Sequence, residues 1–357
     1  MVQCKGATEN SRALKKHRKT NERHKRRNGA VGAMMTELVV GLDLGGTQIR
    51  AVLADDTGRV YARQSVLTDA HEGPDAVLGR IREQIKAVMA GQRVKAIGVG
   101  APGPTDPYRG VVLMGPNLPG WRNVNLCQEL GASFDVPVYV GNDANLAGLA
   151  EHRYGAGRGC RHMVYLTVST GIGAGVIIDN RMLLGSQGLA AELGHMTLDV
   201  QAEQDGDNVV GTLEGLASGP NLARRAQAAL RAGARSSVLE LANGKIESVT
   251  PRLLNIAARA GDAFALEQFR KTAFYLGVGI TSILHIFNPE TIVIGGGVWM
   301  HAQDLMEPTV WETIRARAQS PEYWQDLRIA SAALGHDVGL LGAVALAYDG
   351  LRNQREA

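Results

Sequence analysis

Cysteine is scarce: Cys4, Cys127 and Cys160 are the only three in 357 residues. They are too few and too scattered for a disulfide framework or a zinc knuckle. That usage fits a reducing, cytoplasmic compartment. No uncharged apolar run is long enough to cross a bilayer, and the first residues lack the apolar stretch of a signal peptide, so no membrane partner is expected. Two nucleotide signatures are missing as well. There is no GxxxxGK[ST] run, and no G-x-G-x-x-G opens a helix after a strand. Gly171-Ile172-Gly173 lies between two apolar runs that read as strands, which excludes a dinucleotide turn on context.

Glycine is abundant, with 44 residues, in a chain that is 45% hydrophobic and 20% charged. The length suffices for two domains with their own cores. The net charge of +3 hides an asymmetry. Residues 1–35 carry ten Lys/Arg against Glu9 and Glu22, a net +8, whereas the remainder is net −5. An acidic body with a basic arm does not read as a nucleic-acid-binding domain, so no specific nucleic-acid partner is expected. The arm has no apolar period and is expected to be a disordered extension, with Met34 or Met35 beginning the functional chain.

From Leu38 the pattern predicts an antiparallel meander: Leu38–Leu42, the break Asp43-Leu44-Gly45-Gly46-Thr47, Ile49–Ala54, a turn, then Val60–Leu67. Pro74–Ala90 has Val77, Ile81, Ile85 and Val88 at helical spacing. Short buried strands end at Gly100 and at Gly141-Asn142-Asp143. The plan then recurs with His162–Ser169, the glycine turn 170–175 and Val176–Asp179. A helix is predicted over 262–287, with Leu266, Phe269, Ala273, Leu276, Ile280, Ile283, Leu284 and Phe287 on one face. Asn288-Pro289 stops it, and Thr291–Ile294 leads into Gly295-Gly296-Gly297. A strand–glycine turn–strand unit repeated about 125 residues apart points to two lobes of related architecture.

The glycine turns carry the chemistry. In GLDLGGTQIRAVLADDTG, Gly45 and Gly46 let backbone N–H groups approach phosphate oxygens, and Thr47 adds a hydroxyl donor. Asp43 stands where a carboxylate can hold a hydrated Mg²⁺ beside those phosphates. A plain Gly-Gly hairpin explains this segment equally well when it is taken alone. The second turn, TVSTGIGAGVIID, shifts the balance: two such loops, one per lobe, can grip a polyphosphate through Thr170, Gly171 and Gly173. Gly296 and Gly297 supply a third close backbone approach, suited to an adenosine.

The runs DLGGTQIR, GVGAPGP, PNLPGW, GNDANLAGLAE, STGIGAGVI, AAELGHM, LEGLASG, NPETIVIGGGV and LLGAVALA occur in this order from about residue 37 to 350. With them the chain resembles the ROK family of repressors, open reading frames and sugar kinases. The resemblance implies an α/β, two-lobed actin-like ATPase fold of the ribonuclease H-like/hexokinase kind, and a homodimer. It implies a small lobe over 36–141 joined by a C-terminal helix at 338–353, and a large lobe over 142–337. The family's catalytic aspartate falls on Asp143, and its sugar contacts on Asn117, Asn142, Glu192, His195 and Glu214. A carboxylate at the tip of a buried strand can take the proton of a sugar hydroxyl as its oxygen attacks the γ-phosphorus. Asn amides and carboxylates that converge suit the several hydroxyls of a hexose. Asn142-Asp143 also has the composition of a helix N-cap.

Two departures stand out. Many members follow GHM with three cysteines that, with the histidine, bind zinc. Here those positions fall on Asp205, Asp207 and Thr212, so no structural zinc is expected, and a hydrogen bond must orient His195 instead. Gln48 replaces a common lysine. The expected activity is ATP- and Mg²⁺-dependent phosphorylation of the primary hydroxyl of a small-molecule sugar, with glucose first and mannose, fructose, allose and N-acetylmannosamine open. Polyphosphate is an alternative donor. A sugar-responsive transcriptional regulator is the alternative class, although residues 1–36 are too short for the family's winged helix.

Overall fold

The structure, a computed structural model, describes residues 37–202 and 211–356. The basic arm expected over 1–35 therefore lies outside the described residues. Residues from Leu38 onward form one compact unit.

The chain opens with β1 (Val39–Leu44), β2 (Gln48–Ala54) and β3 (Val60–Leu67), the predicted meander, followed by α1 (Pro74–Met89) and β4 (Ile97–Ala101). Three short strands, β5 (Thr105–Asp106), β6 (Val111–Met114) and β7 (Arg122–Asn125), make a separate antiparallel sheet. Next come α2 (Leu126–Phe134), β8 (Val138–Asn142) and α3 (Asp143–Tyr154). The second half begins with β9 (Met163–Val168), β10 (Ile172–Ile178) and β11 (Arg181–Met182). Its helices are α4 (Leu213–Ala217), α5 (Gly219–Arg231), α6 (Val238–Leu241), α7 (Pro251–Arg259) and α8 (Ala263–Phe287). The chain then runs through β12 (Thr291–Gly295), α9 (Gly297–Arg317), β13 (Arg328–Ser331) and α10 (Val338–Glu356).

Two five-stranded sheets share one topology. The first is ordered β3-β2-β1-β4-β8 and the second β11-β10-β9-β12-β13. In each, three antiparallel strands are followed by two that run parallel to the innermost of the three. The repeat seen in the glycine turns is thus a repeat of whole sheets.

Each sheet is covered by helices, as buried parallel strands require. On the first, α1 buries Val77, Leu78, Ile81, Ile85 and Val88. Chain-terminal α10 packs on β1, β4 and β8. It comes so close that a methyl on Gly41 or Gly98 would overlap its backbone, so those strand positions admit only glycine. On the second sheet, α8 supplies Phe269, Leu276, Ile280, Ile283 and Leu284 to the largest apolar cluster. Each such side chain contributes about 1.5–3 kcal/mol by leaving water. Asp262 caps α8 by accepting from Ala265 N–H at 2.8 Å, and Asn288, at φ 44°, ends it where predicted. One expectation fails: Leu266 is 38% exposed and lies off the buried face, where Ala265 and Gln268 stand instead. The 3.6-residue period tolerated it because it lies one position from the buried stripe.

Helix α3 sits against both β10 and α10, so the segment that begins at Asp143 is clamped between the two halves.

Candidate active site

The first glycine hairpin joins β1 to β2 with Asp43 paired across from Arg50. Both side chains face the cleft, and the Arg50 guanidinium donates to Asp43 Oδ2, its Nε at 3.2 Å. Arg50 Nη1 also donates to the carbonyl of His336 at 2.7 Å, just before α10. The tip is closed by Gly45 N–H to Gln48 O at 2.9 Å, and Thr47 is exposed there. Gly46 backs onto Asn117, whose Cβ lies 2.6 Å from where a methyl on Gly46 would sit.

The second wall element is the β8–α3 junction. Asn142 is the N-cap of α3: its Oδ1 accepts from the N–H groups of Ala144 (2.9 Å) and Asn145 (3.3 Å). Its amide nitrogen donates to Gly103 O at 3.0 Å and so ties the helix start to the APGP turn. Capping and catalysis are therefore not rival readings here, because the cap is Asn142 and Asp143 is the first helical residue. The Asp143 side chain faces open cavity. The surrounding walls still displace much of its water, and this desolvation raises its carboxyl above the usual carboxylate value. The Ala144 N–H opposes the rise, and the nearby charges of Asp43 and Glu192 add to it.

The second glycine hairpin lies opposite. Gly171 faces Glu214, in the first turn of α4, whose Oε2 accepts from Ile172 N–H at 2.7 Å. Gly173, which lines the cleft, also has a packing reason to lack a side chain. A methyl there would stand 2.7 Å from Ala144 Cβ, so the glycine lets α3 approach the sheet. Glu192 and His195 bracket a 3-10 turn at Leu193–His195, a tighter form of the helical turn expected for them.

These groups share one cavity of about 750 Å³, lined by Asp43, Arg50, Asn142, Asp143, Thr170, Gly171, Gly173, Glu192, His195 and Glu214, among others. A second cavity of about 760 Å³ adjoins it through Ser169 and Thr170, which line both. The second is mostly apolar, lined by Gly219, Pro220, Pro251, Phe269, Val298 and Ala302, with Thr250, Arg252, Asn255 and His301 as polar groups. Gly297 lines it. Gly296, at φ 86°, does not, and a side chain there would strike the Val168 carbonyl.

Of the residues expected from sequence, Gly45, Gly46, Thr47 and Asn117 stand outside the lining of the cleft, on the first half. Arg50 was not anticipated, yet among the described residues it is the sole Arg or Lys lining the cleft. The signal was available: a two-stranded register through Leu44 and Ile49 puts it opposite Asp43. The second cavity was also missed, because its residues come from ordinary helix starts such as Thr250-Pro251. Of the three positions aligned with zinc cysteines, Asp205 and Asp207 lie outside the described residues. Thr212 caps α4 by accepting from Gly215 N–H at 3.0 Å. Among the described residues no hydrogen bond holds the His195 ring, and no cluster of three or more His, Cys, Asp or Glu side chains could bind a metal.

Two like sheets facing a shared cleft, each with a glycine hairpin at its mouth, make the two-lobed architecture of actin-like ATPases. The model of the ROK family matches residues 39–349, and the chain belongs to that family. A glucokinase of Thermotoga maritima is 34% identical over 308 residues, which cover 86% of this chain and 96% of that protein. The crystal structure of a ROK hexokinase from Thermus thermophilus superposes with a TM-score of 0.77 at 37% identity, over 88% of this chain and 99% of that one. A ROK glucokinase from Streptomyces griseus, solved with glucose and AMPPNP, gives 0.71 at 32% identity, over 88% and 100%. Regulators are related too: a xylose repressor of Caldicellulosiruptor bescii is 29% identical over 313 residues, 86% of this chain and 77% of that protein.

Proposed function

We propose that this chain is a sugar kinase that transfers the γ-phosphoryl group of ATP to the primary hydroxyl of a hexose, glucose before others. One observation carries the reading. A carboxylate with a raised pKa, Asp143, shares a cavity with Glu192, His195 and Glu214, and that cavity opens through Thr170 into a mostly apolar pocket large enough for a nucleoside. Glu192, His195, Glu214 and the free amide hydrogen of Asn142 hold the sugar hydroxyls. Asn117 joins them when the lobes close. Asp143 takes the proton of the attacking hydroxyl, and its raised pKa makes it a stronger base than an ordinary aspartate.

Thr170, Gly171 and Gly173 cradle the phosphates, joined on lobe closure by the Gly45-Gly46-Thr47 tip, and Gly297 stands against the nucleoside. Asp43 fits a hydrated Mg²⁺: Arg50 takes one of its oxygens, and no described residue hydrogen-bonds the other. When bound, the ion would neutralise phosphate charge. Closure of the lobes excludes water from the phosphoryl group. We further propose a homodimer in the cytoplasm, and His195 oriented without zinc.

The test is sugar-phosphate formation over a panel of glucose, mannose, fructose, allose and N-acetylmannosamine, with ATP or polyphosphate as donor, and ADP release followed in parallel for ATP. Glucose with ATP should give the highest kcat/KM, and no turnover with any sugar would remove the reading. The xylose-repressor relative favours a second reading, a sugar-responsive regulator. It predicts sequence-selective DNA binding relieved by sugar. A sequence-indifferent, salt-sensitive DNA shift would reflect the basic arm alone.

A further inference from the structure

The proposed sugar end and the phosphate turn are joined by one side chain. Glu214 lines the cleft beside Glu192 and His195, and its Oε2 accepts from the backbone N–H of Ile172. That amide belongs to the Thr170–Gly173 turn. The carboxylate lies flat on the turn: a methyl on Gly171 would sit 2.5 Å from Oε2. Helix α4, which carries Glu214 in its first turn, ends at Ser218, and the next residue, Gly219, lines the nucleoside-sized cavity. Gly219 N–H donates to Ser169 O at 2.8 Å. The turn is thus held at one end by the Glu214 carboxylate and at the other by the start of α5, with α4 spanning the two cavities.

We infer that Glu214 makes nucleotide binding depend on sugar, an inference that rests on the kinase reading above. In the observed arrangement its carboxylate engages an N–H that a phosphate oxygen would need, and its negative charge repels that oxygen. A sugar hydroxyl is a hydrogen-bond donor that competes for the same carboxylate. Sugar binding draws Glu214 off the turn, frees Ile172 N–H and moves the negative charge away from the phosphate, so the phosphate chain binds more tightly. Linkage makes the effect reciprocal: nucleotide tightens sugar by the same factor. ATP without sugar is held weakly, and its wasteful hydrolysis is suppressed.

Calorimetric titration of the full chain with a non-hydrolysable ATP analogue and Mg²⁺ tests this, with and without saturating glucose. In the wild type, glucose should tighten the analogue about tenfold, within the usual range of coupling between sites. The decisive reading needs no sugar. Glu214→Gln keeps an acceptor but loses the charge, and should bind the analogue several-fold more tightly than wild type, with the glucose effect reduced to within about twofold. Glu214→Ala should do the same and decides the matter if the glutamine variant misfolds. Weaker sugar-free binding in both variants would mean that Glu214 only props the turn. Unchanged binding would make it a sugar contact alone, and either result overturns the inference. Failure of the wild type to bind the analogue at all would instead count against the kinase reading.

Discussion

The two glycine hairpins look alike in sequence and differ in what their glycines do. At the first, Gly45, Gly46 and Thr47 form a partly exposed tip outside the cleft lining, and Gly46 abuts Asn117. The second is packed in. Gly171 faces the Glu214 carboxylate, Gly173 faces Ala144, and a side chain on Gly175 would press on the backbone of Ala144 and Asn145. The first hairpin is held by a charged pair, Asp43 with Arg50, and the second by close approach to the helix that bears Asp143. An exposed tip leaves its backbone open to a ligand, whereas a packed hairpin fixes the helix that bears Asp143. One motif thus serves an exposed edge on one wall and close packing on the other.

Substitutions should separate the two. Gly173→Val drives a branched side chain into Ala144. Overpacking of this kind costs roughly 1–3 kcal/mol. A displacement of Asp143 by about 1 Å lowers kcat on the order of 100-fold. Steady-state kinetics with a thermal melt reads both effects, and unaltered kcat would deny the packed role. Gly46→Ala pushes on Asn117 instead. It should raise the sugar KM by up to about tenfold, the worth of roughly one hydrogen bond, with a smaller change in kcat. Equal loss of kcat in both variants would erase the contrast.

The pH profile gives the smallest effect. Because the Asp143 pKa is raised in the folded chain, kcat/KM should fall as pH drops through a value above that of an ordinary aspartate. The stability effect has the opposite sense. Between the unfolded and folded pKa values the native state binds more protons, so the Asp143 contribution to stability declines as pH rises through that window. An acid limb at the ordinary aspartate value would contradict the desolvation of this side chain.

Much of this was legible in the sequence because it rests on local signals. The meander, the helix over 74–89 and the stop at Asn288-Pro289 follow from apolar period and turn chemistry. The place of Asp143 in the cleft was legible because the ROK motif falls on it and because a strand ending in Gly-Asn-Asp puts a carboxylate at the strand end. The small sheet was not, since β5 to β7 span two to four residues and show no alternation. Nor was the second cavity, whose walls converge from α5, α7, α8 and α9 only after folding. The packing role of Gly173 was not legible because a phosphate cradle and a tight helix–sheet contact both require glycine. Only the position of Ala144 distinguishes them.

The central claim is that Asp143 removes a proton from a sugar hydroxyl in the shared cleft. Glucose-dependent ADP release by Asp143→Asn, set beside glucose binding measured by calorimetry, tests it most directly. Turnover should fall by about 10²–10⁴, the usual worth of a general base, with glucose affinity within a few-fold of wild type. Near-normal turnover in a folded, glucose-binding variant would contradict it.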